Sequence, residues 1–367
     1  MKENNERLYM ANIEATQLAE ELDNEGMIGF VRNFVDDLAQ GMAAVDEELQ
    51  PWITDLAHMQ WSGVLCVGMG GSAAGGDFLS ALADDAGELP IVSIRDYSVP
   101  NWWGPDWLVV ATSYSGNTEE TITFTNEIVN SGGTIVAVAS GGLLAGLAEL
   151  HEDIHLISLP SGQPPRSAFG HIFSRQLALM NILGIIPTCE ELDVMFDRLE
   201  GVLRTLDILD DEQGVIMKLA MELIDKQIAI LTSSELHPAA IRMKNQLNEN
   251  SARFARIGVI PEMNHNELVA WGGIGTDSDP SVANQAVLVL THTALNDRVR
   301  QRLDWQIAHL LTDSAWRLDG EGSGLLESLL HHCIIMDWLS IALALLHGKD
   351  PATIGPISSL KSYLDQS

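Results

Sequence analysis

Short, continuous apolar runs that alternate with helical stretches constrain this chain more than any other feature. In the first half such runs lie at residues 63–68, 90–94, 107–112, 134–139 and 154–158. Strands buried on both faces are uninterrupted apolar runs, and helices between them make the crossover connections of a parallel sheet. The sequence therefore predicts an α/β fold built on parallel sheets.

The same alternation restarts in the second half. Apolar runs at residues 227–232, 256–260 and 285–290 follow a charged helical stretch, and the remainder is expected to be helical through Leu346. Because 367 residues are too many for one ordinary core, two domains are expected. The expected division is a helical segment 1–60, a first α/β domain 61–186, a helical linker 187–211 and a second α/β domain 212–367.

The charge excludes several classes of partner. Twenty Lys and Arg residues face 51 Asp and Glu residues, a formal net charge of -31. Such a surface repels nucleic acid and anionic lipid, so neither is an expected partner. The acids are spread along the chain, which favours solubility as the reason for them.

Compartment and metal content follow from the same composition. The polar start of the chain predicts no signal peptide, and the apolar stretch 334–346 contains Asp337, which favours a buried helix over a membrane span. We therefore expect a cytoplasmic protein. The three cysteines are far apart without a CxxC pair, and no histidine cluster has ligand spacing, so neither a disulfide framework nor a metal site is expected.

The 113–118 loop, Ser-Tyr-Ser-Gly-Asn-Thr, places three hydroxyls and a glycine where the third strand meets its helix. The first N–H groups of a helix are unpaired and its dipole is positive there, which suits a phosphate dianion. One hydroxyl could be only an N-cap, with Thr118 the candidate. A cap explains one hydroxyl and not three, so the loop predicts phosphate binding.

A second turn, Gly68-Met-Gly-Gly-Ser-Ala73, follows the first strand and nearly matches the dinucleotide fingerprint G-x-G-x-x-G/A. The acidic residue that should end the second strand arrives late, as Asp96 behind Arg95. The match is therefore poor. A glycine turn for close packing of strand and helix is an equal alternative.

Together these two turns and the doubled α/β layout resemble the sugar isomerase (SIS) fold, and the later motifs resemble the bifunctional phosphoglucose/phosphomannose isomerases. The resemblance implies two flavodoxin-like, three-layer subdomains after a helical N-terminal segment. It also implies an enzyme without a cofactor that interconverts glucose-6-phosphate and mannose-6-phosphate with fructose-6-phosphate through a cis-enediolate. The phosphate-binding residues that it implies are Gly71, Ser72, Ser113, Ser115 and Thr118.

Three further residues carry the chemistry that the resemblance implies. Glu249, in a polar stripe with Arg242 and Asn245 on one helix, matches the proton-transfer base. His265, in Asn-His-Asn after a strand, matches the residue that opens the sugar ring and reaches the neighbouring subunit's site, which implies a homodimer. Arg166, behind two prolines, matches the group that stabilises the intermediate.

Lys361 is a looser match, as a further contact to the substrate. The resemblance leaves the preferred sugar open, because glucose- and mannose-6-phosphate differ only at C2.

Other functions remain open at this point. A regulatory SIS module that only senses a sugar phosphate would keep the serine turns but need neither Glu249 nor His265. An amidotransferase-type aminosugar synthase needs an N-terminal nucleophile, whereas position 2 is Lys. A nicotinamide dehydrogenase rests on the weak glycine match alone.

Overall fold

The computed structural model describes residues 15–47 and 51–364. Residues 1–14 and 48–50 of the expected helical segment lie outside the described residues, as do residues 365–367. The chain forms two compact units. One is Asn33–Asp197, and the other joins the described residues up to Arg32 with those from Arg198 onward. The four-part division expected from the sequence stays a prediction beside this grouping.

Helices and strands alternate along both units. The strands are β1 (Gly63–Gly68), β2 (Ile91–Ile94), β3 (Trp107–Thr112), β4 (Ile135–Ala139), β5 (Ile154–Ser158), β6 (Gln227–Ser233), β7 (Ala255–Ile260), β8 (Gln285–His292) and β9 (Ala315–Gly320). The helices are α1 (Ala15–Leu22), α2 (Met27–Arg32), α3 (Phe34–Glu47), α4 (Pro51–Ala57), α5 (Ala74–Ala86), α6 (Glu119–Asn130), α7 (Gly142–Leu150), α8 (Phe169–Ile182), α9 (Leu192–Thr205), α10 (Val215–Leu223), α11 (His237–Ser251), α12 (Leu268–Trp271), α13 (Asp297–His309), α14 (Leu325–Leu346) and α15 (Gly355–Leu364). Both sheets are wholly parallel, which confirms the predicted α/β class.

In the 33–197 unit the sheet has five strands in the order β2-β1-β3-β4-β5. Every residue of β1 and β4 is buried, because helices cover both faces of the sheet. Leu65, Val109 and Ile135 pack on one face against Phe124 and Ile128 of α6. The strand order reverses between β1 and β3, and in open parallel sheets ligands bind beyond the strand ends at such a reversal.

In the C-terminal unit the sheet has four strands in the order β7-β6-β8-β9. The sequence expectation of an entirely helical C-terminal part is wrong at β9. Its residues Ala-Trp-Arg-Leu-Asp-Gly alternate between exposed and buried, because β9 lies at an edge of the sheet with one side in solvent. A polar, alternating edge strand lacks the continuous apolar run by which the other strands are recognised.

Helix α14 forms the core of the C-terminal unit. Within the described residues it is the one helix long and apolar enough to cross a membrane, and its apolar window is wholly buried inside the fold. This confirms the expectation of a buried helix around Asp337. The Asp337 carboxylate accepts hydrogen bonds from Arg242 of α11, at 2.7 Å from Nη1 and 2.9 Å from Nη2, and both side chains are about 5% exposed.

We expect Asp337→Asn to lower the free energy of unfolding by about 3–5 kcal/mol, because it leaves the buried Arg242 guanidinium without its counter-charge. The measurement is urea denaturation at neutral pH. Asp304→Asn is the matched control: Asp304 pairs with Arg317 at 3.1 Å but is 53% exposed, so its loss should cost less than about 1 kcal/mol. Equal effects of the two substitutions would contradict the prediction.

Candidate functional site

The two turns singled out in the sequence lie side by side at the carboxyl edge of the first sheet. β1 runs into the 68–73 turn and β3 runs into the 113–118 loop, and the two strands are hydrogen-bonded neighbours, with Gly68 opposite Thr112. The backbone N–H of Tyr114 donates to Ser72 Oγ at 3.0 Å, which joins the two turns directly. We call these turns together the clasp.

The hydroxyls of the 113–118 loop are held by its own backbone. Ser113 Oγ lies 2.8 Å from Thr118 Oγ1 and accepts the Thr118 N–H at 3.3 Å, and Ser115 Oγ accepts the Asn117 N–H at 3.3 Å. Thr118 occupies the N-cap position of α6, yet its side chain makes no capping hydrogen bond. The alternative that Thr118 is only a cap is therefore wrong, and its hydroxyl belongs to the clasp.

A hydroxyl that accepts a backbone N–H still has its own proton to donate. Ser72 and Ser115 are both placed in this way. Ser115 is exposed, whereas Ser72 and Ser113 are buried. The clasp therefore offers O–H donors next to the start of α6, where a helix leaves its first N–H groups unpaired.

Glycines allow the backbone of the clasp to pack closely. Gly116 has a φ of +71°, and a Cβ there would lie 1.7 Å from the carbonyl oxygen of Gly141. A Cβ on Gly71 would lie 2.9 Å from the backbone N of Arg166 and from the carbonyl of Pro165. Gly71 thus brings the chain segment that carries Arg166 against the clasp.

Arg166 lies in the turn that precedes α8, and its side chain is buried. The carbonyl of Pro164 fixes this turn, because it accepts the N–H groups of Ser167 at 3.0 Å and Ala168 at 3.1 Å as well as the Ser167 hydroxyl at 2.9 Å. The structure therefore brings Arg166, Gly71 and the clasp hydroxyls together in one unit.

Tyr114, for which the sequence pattern gives no signal, connects three loops. Besides its N–H bond to Ser72, its hydroxyl accepts the backbone N–H of Gln163 at 3.1 Å. Its carbonyl accepts both the N–H and the hydroxyl of Ser140, at 2.9 Å and 2.6 Å. Burial raises the pKa of Tyr114, and the charge of Asp37 adds to the effect, so the phenol stays protonated.

A second support lies behind the arginine turn. Gln163 Nε2 donates to Asp37 Oδ2 at 3.2 Å, and Asp37 Oδ1 lies 3.1 Å from His171 Nε2. Asp37 and His171 are both buried. Because these partners are far apart in the sequence, only the folded chain reveals them.

The glycine turn lacks the acidic partner that a dinucleotide needs. The position after β2 is Arg95, whose guanidinium is paired with Asp77 of α5. A guanidinium has only N–H donors, so Arg95 cannot accept hydrogen bonds from the hydroxyls of a ribose. The 68–73 turn therefore fits a role in the clasp better than a role in binding a nicotinamide dinucleotide.

Glu249 lies in the last turn of α11 and is half-buried. Its backbone is fixed, because Lys349 Nζ donates to the carbonyls of Glu249 at 3.0 Å and Asn250 at 2.9 Å. The Asn250 amide donates to Ser340 Oγ of α14 at 2.9 Å. The polar stripe expected on this helix thus runs from the buried, ion-paired Arg242 to the more accessible Glu249.

His265 ends a short 3-10 turn after β7, and it is exposed. Its neighbours are fixed: Asn264 donates to Gln306 at 3.1 Å, and Asn266 donates to Glu262 at 3.0 Å. Lys361 lies on α15, none of whose residues is buried.

Glu249 and His265 are not brought together within the C-terminal unit. α11 connects the parallel strands β6 and β7, so it ends at the amino edge of the sheet, whereas His265 follows the carboxyl end of β7. A six-residue strand spans about 20 Å. The two side chains therefore belong to opposite edges of this sheet, too far apart to act on one small sugar.

No group of three or more His, Cys, Asp or Glu side chains that could hold a metal ion occurs among residues 15–47 and 51–364. Cys66 and Cys333 are buried, and burial raises the pKa of each thiol to about 12. Neither thiol is therefore a nucleophile at neutral pH.

Solved structures show the same architecture. The C-terminal domain of glucosamine-fructose-6-phosphate aminotransferase from Francisella tularensis superposes with a TM-score of 0.69 at 14% identity, covering 89% of this chain and 98% of that chain. Tagatose-6-phosphate ketose/aldose isomerase from Escherichia coli superposes with a TM-score of 0.66 at 14% identity, covering 89% and 94%. The fold and the clasp thus define a protein with two SIS-type α/β units.

Sequence similarity identifies the family. Residues 212–364 match the bacterial phospho-glucose isomerase C-terminal SIS domain. The bifunctional phosphoglucose/phosphomannose isomerase of Aquifex aeolicus is 31% identical over 310 residues, 83% of this chain and 91% of that protein. That of Caldicellulosiruptor bescii is 30% identical over 313 residues, 82% and 89%. This chain belongs to the bifunctional phosphoglucose/phosphomannose isomerase family, which confirms the resemblance seen in its motifs.

One relative has another name. D-glucosamine-6-phosphate 4-epimerase of Sulfolobus acidocaldarius is 32% identical over 204 residues, 55% of this chain and 61% of that protein.

Proposed function

We propose that this protein is an aldose–ketose isomerase that interconverts glucose-6-phosphate and mannose-6-phosphate with fructose-6-phosphate. The observation that carries the proposal is the clasp of Ser72, Ser113, Ser115 and Thr118 with the Arg166 turn packed against Gly71. The names of the relatives, bifunctional phosphoglucose/phosphomannose isomerases, support the same reaction.

In this proposal the clasp binds the phosphate of the sugar. The protein is strongly acidic, so long-range attraction does not draw in a dianion. Hydroxyl protons and the first N–H groups of α6 supply a local positive potential instead, and they do so without adding net charge. Lys361, on the exposed helix α15, is proposed as an additional contact to the substrate.

Glu249 is proposed to move the proton between C1 and C2. The carboxylate removes a proton from C2 of the open-chain aldose, which leaves a cis-enediolate, and then returns the proton to C1. Arg166 is proposed to stabilise the negative charge that develops on the enediolate oxygens, because a guanidinium has several N–H donors and keeps its charge. No step of this sequence requires a metal ion or an organic cofactor.

His265 is proposed to open the sugar ring in the active site of the neighbouring subunit, which makes the protein a homodimer. Support comes from the opposite positions of Glu249 and His265 on the second sheet and from the exposure of His265. A two-fold dimer would use each residue once in each of two equivalent sites. The chemistry and the relatives' metabolic names also support a cytoplasmic location.

The test is an assay of the purified protein with glucose-, mannose- and fructose-6-phosphate in the presence of a chelator. We expect interconversion of all three, undiminished by the chelator. Binding of fructose-6-phosphate without turnover would instead favour a regulatory SIS module. Conversion of glucosamine-6-phosphate at C4, with no aldose–ketose activity, would favour the reaction named for the Sulfolobus relative.

We expect Tyr114→Phe to lower kcat about tenfold while KM changes little. The substitution leaves the partly buried N–H of Gln163 without its acceptor and loosens the turn that carries Arg166, whereas the Tyr114 N–H bond to Ser72 is kept. Steady-state kinetics with fructose-6-phosphate measure the effect. Tyr97→Phe, at an exposed tyrosine in the same unit, is the control and should leave both constants unchanged. A rise in KM alone would show that Tyr114 acts on phosphate binding and not on the arginine turn.

A further inference from the structure

A cavity of about 390 Å³ lies at the amino edge of the second sheet, in the C-terminal unit. Its nine lining residues lie at or just before the starts of β6 and β7 and at the first residue of β8. None of them belongs to the clasp or to the proposed catalytic residues. The volume falls in the range of small-molecule sites, about 300–1,000 Å³.

The charge of this cavity is opposite to that of the protein. Lys226, Arg253 and Arg256 line it, and no lining residue is acidic. Only 20 of the 367 residues are Lys or Arg, against 51 acids, so a group of three without an acid is unusual in this chain. A local positive potential of this kind attracts a small anion.

Lys226 and Arg253 are the cations available to such an anion. Lys226 is half-buried, and none of the ion pairs found among the described residues includes it. Arg253 Nη2 donates to the Lys226 carbonyl at 2.6 Å, and Nη1 lies 3.3 Å from His347 Nε2. His347 Nδ1 lies 2.7 Å from the Leu343 carbonyl, so Nδ1 is its donor and Nε2 accepts from Arg253. The guanidinium is thereby fixed while further N–H donors remain.

Other charged groups lie near the cavity. Arg256 lies 3.4 Å from Glu267 and is stacked over Trp271, so its charge is offset by that carboxylate and it offers no free contact. The negative end of the α11 dipole points to this edge. The Lys349 ammonium offsets that partial charge, because it donates hydrogen bonds to the last carbonyls of the helix. Asp225, beside Lys226 in sequence, is exposed.

An aromatic ring adjoins the cations. Phe254 lines the cavity and is 94% exposed, the largest exposure among the large apolar side chains of the described residues. A solvent-exposed phenyl ring offers a face on which a planar heterocycle can stack. Two cations and an open aromatic face side by side match the two ends of a nucleotide.

We propose that this cavity binds a nucleoside phosphate, with the phosphate on Lys226 and Arg253 and the base on Phe254. The proposal goes beyond the proposed isomerase, because it assigns a second ligand to a cavity lined by none of the clasp residues and none of the proposed catalytic residues. Binding there is independent of the clasp.

The experiment is isothermal titration calorimetry of the full chain with AMP and, separately, with inorganic phosphate at low ionic strength. We expect saturable AMP binding that weakens as salt is added. Lys226→Ala should weaken both ligands about tenfold, whereas Phe254→Ala should weaken AMP about tenfold and leave phosphate unchanged. Lys218→Ala, at an exposed lysine of α10, is the matched control and should bind both ligands as the parent does.

Ser115→Ala, a substitution in the clasp, separates this site from the clasp. AMP that binds this variant as tightly as the parent supports the proposal, and AMP binding that Ser115→Ala weakens as much as Lys226→Ala does overturns it. Absence of saturable AMP binding, or unchanged binding in both Lys226→Ala and Phe254→Ala, overturns the proposal as well. The readout is binding and not turnover, so a failure of the isomerase assignment would not be mistaken for a failure of this one.

Discussion

Glu249→Gln is expected to lower kcat for glucose-6-phosphate and for mannose-6-phosphate by about a thousandfold. The amide has nearly the shape of the carboxylate but cannot take up a proton at neutral pH. The substitution leaves in place the main-chain carbonyl of this residue, which accepts a hydrogen bond from Lys349, so the end of α11 should keep its structure. The loss should therefore fall on the chemical step.

Binding should survive the same substitution. The proposed phosphate contacts belong to the clasp and not to α11, so the Kd for fructose-6-phosphate, measured by calorimetry, should change less than about threefold. Glu222→Gln, at an exposed acid of α10 in the same unit, is the matched control and should keep full activity. Turnover by Glu249→Gln at more than a tenth of the parent rate would rule out Glu249 as the base.

Exchange of the substrate proton with solvent provides a second readout. In heavy water the parent enzyme should incorporate deuterium at C2 of the aldose, because the base exchanges its proton with solvent during the enediolate's lifetime. Glu249→Gln should abolish this incorporation. A variant that still exchanged the C2 proton but formed no product would place the loss in a later step.

Most of the fold could be predicted because its signals are local. Continuous apolar runs marked eight of the nine strands to within two residues, since burial on both faces leaves little choice of residue type. β9 escaped because one side of an edge strand faces solvent, so Arg317 and Asp319 interrupt the apolar run. Edge strands are therefore the strands that apolar sequence patterns predict least well.

The clasp was predictable for the same reason, and its supports were not. The hydroxyls of the 113–118 loop are adjacent in the sequence and follow a strand, so one pattern contains them all. Tyr114 contacts Gln163 from 49 positions away, and Arg242 meets Asp337 from 95 positions away. Such partners are decided by topology, which no local pattern contains.

Glu249 and His265 were neither marked by a local pattern nor found only from the folded chain. In a chain with 51 acids and 11 histidines, neither residue type is distinctive, so their roles came from the family resemblance and not from spacing. What the structure adds is their placement at opposite edges of one sheet. A single chain cannot easily use both on the same sugar, which makes the sharing of sites between subunits the feature most in need of a test.

That test is complementation between two inactive variants. Glu249→Gln and His265→Ala should each be inactive as homodimers. In a mixed dimer one site receives both substitutions, while the other receives the intact Glu249 of one chain and the intact His265 of its neighbour. If subunits exchange at random, half of the dimers are mixed and each has one intact site, so about a quarter of the parent activity should return.

The measurement is the isomerase rate after the two differently tagged variants are mixed, allowed to exchange under mild denaturant, and returned to buffer. The same mixture without exchange should stay inactive, and mixed dimers purified through both tags should reach about half of the parent rate per dimer. If each site instead took Glu249 and His265 from the same chain, every site of a mixed dimer would carry one of the two substitutions. No activity would then return. Recovery therefore distinguishes shared sites from separate ones even if the total activity is low, and its absence in purified mixed dimers would overturn the proposed role of the dimer.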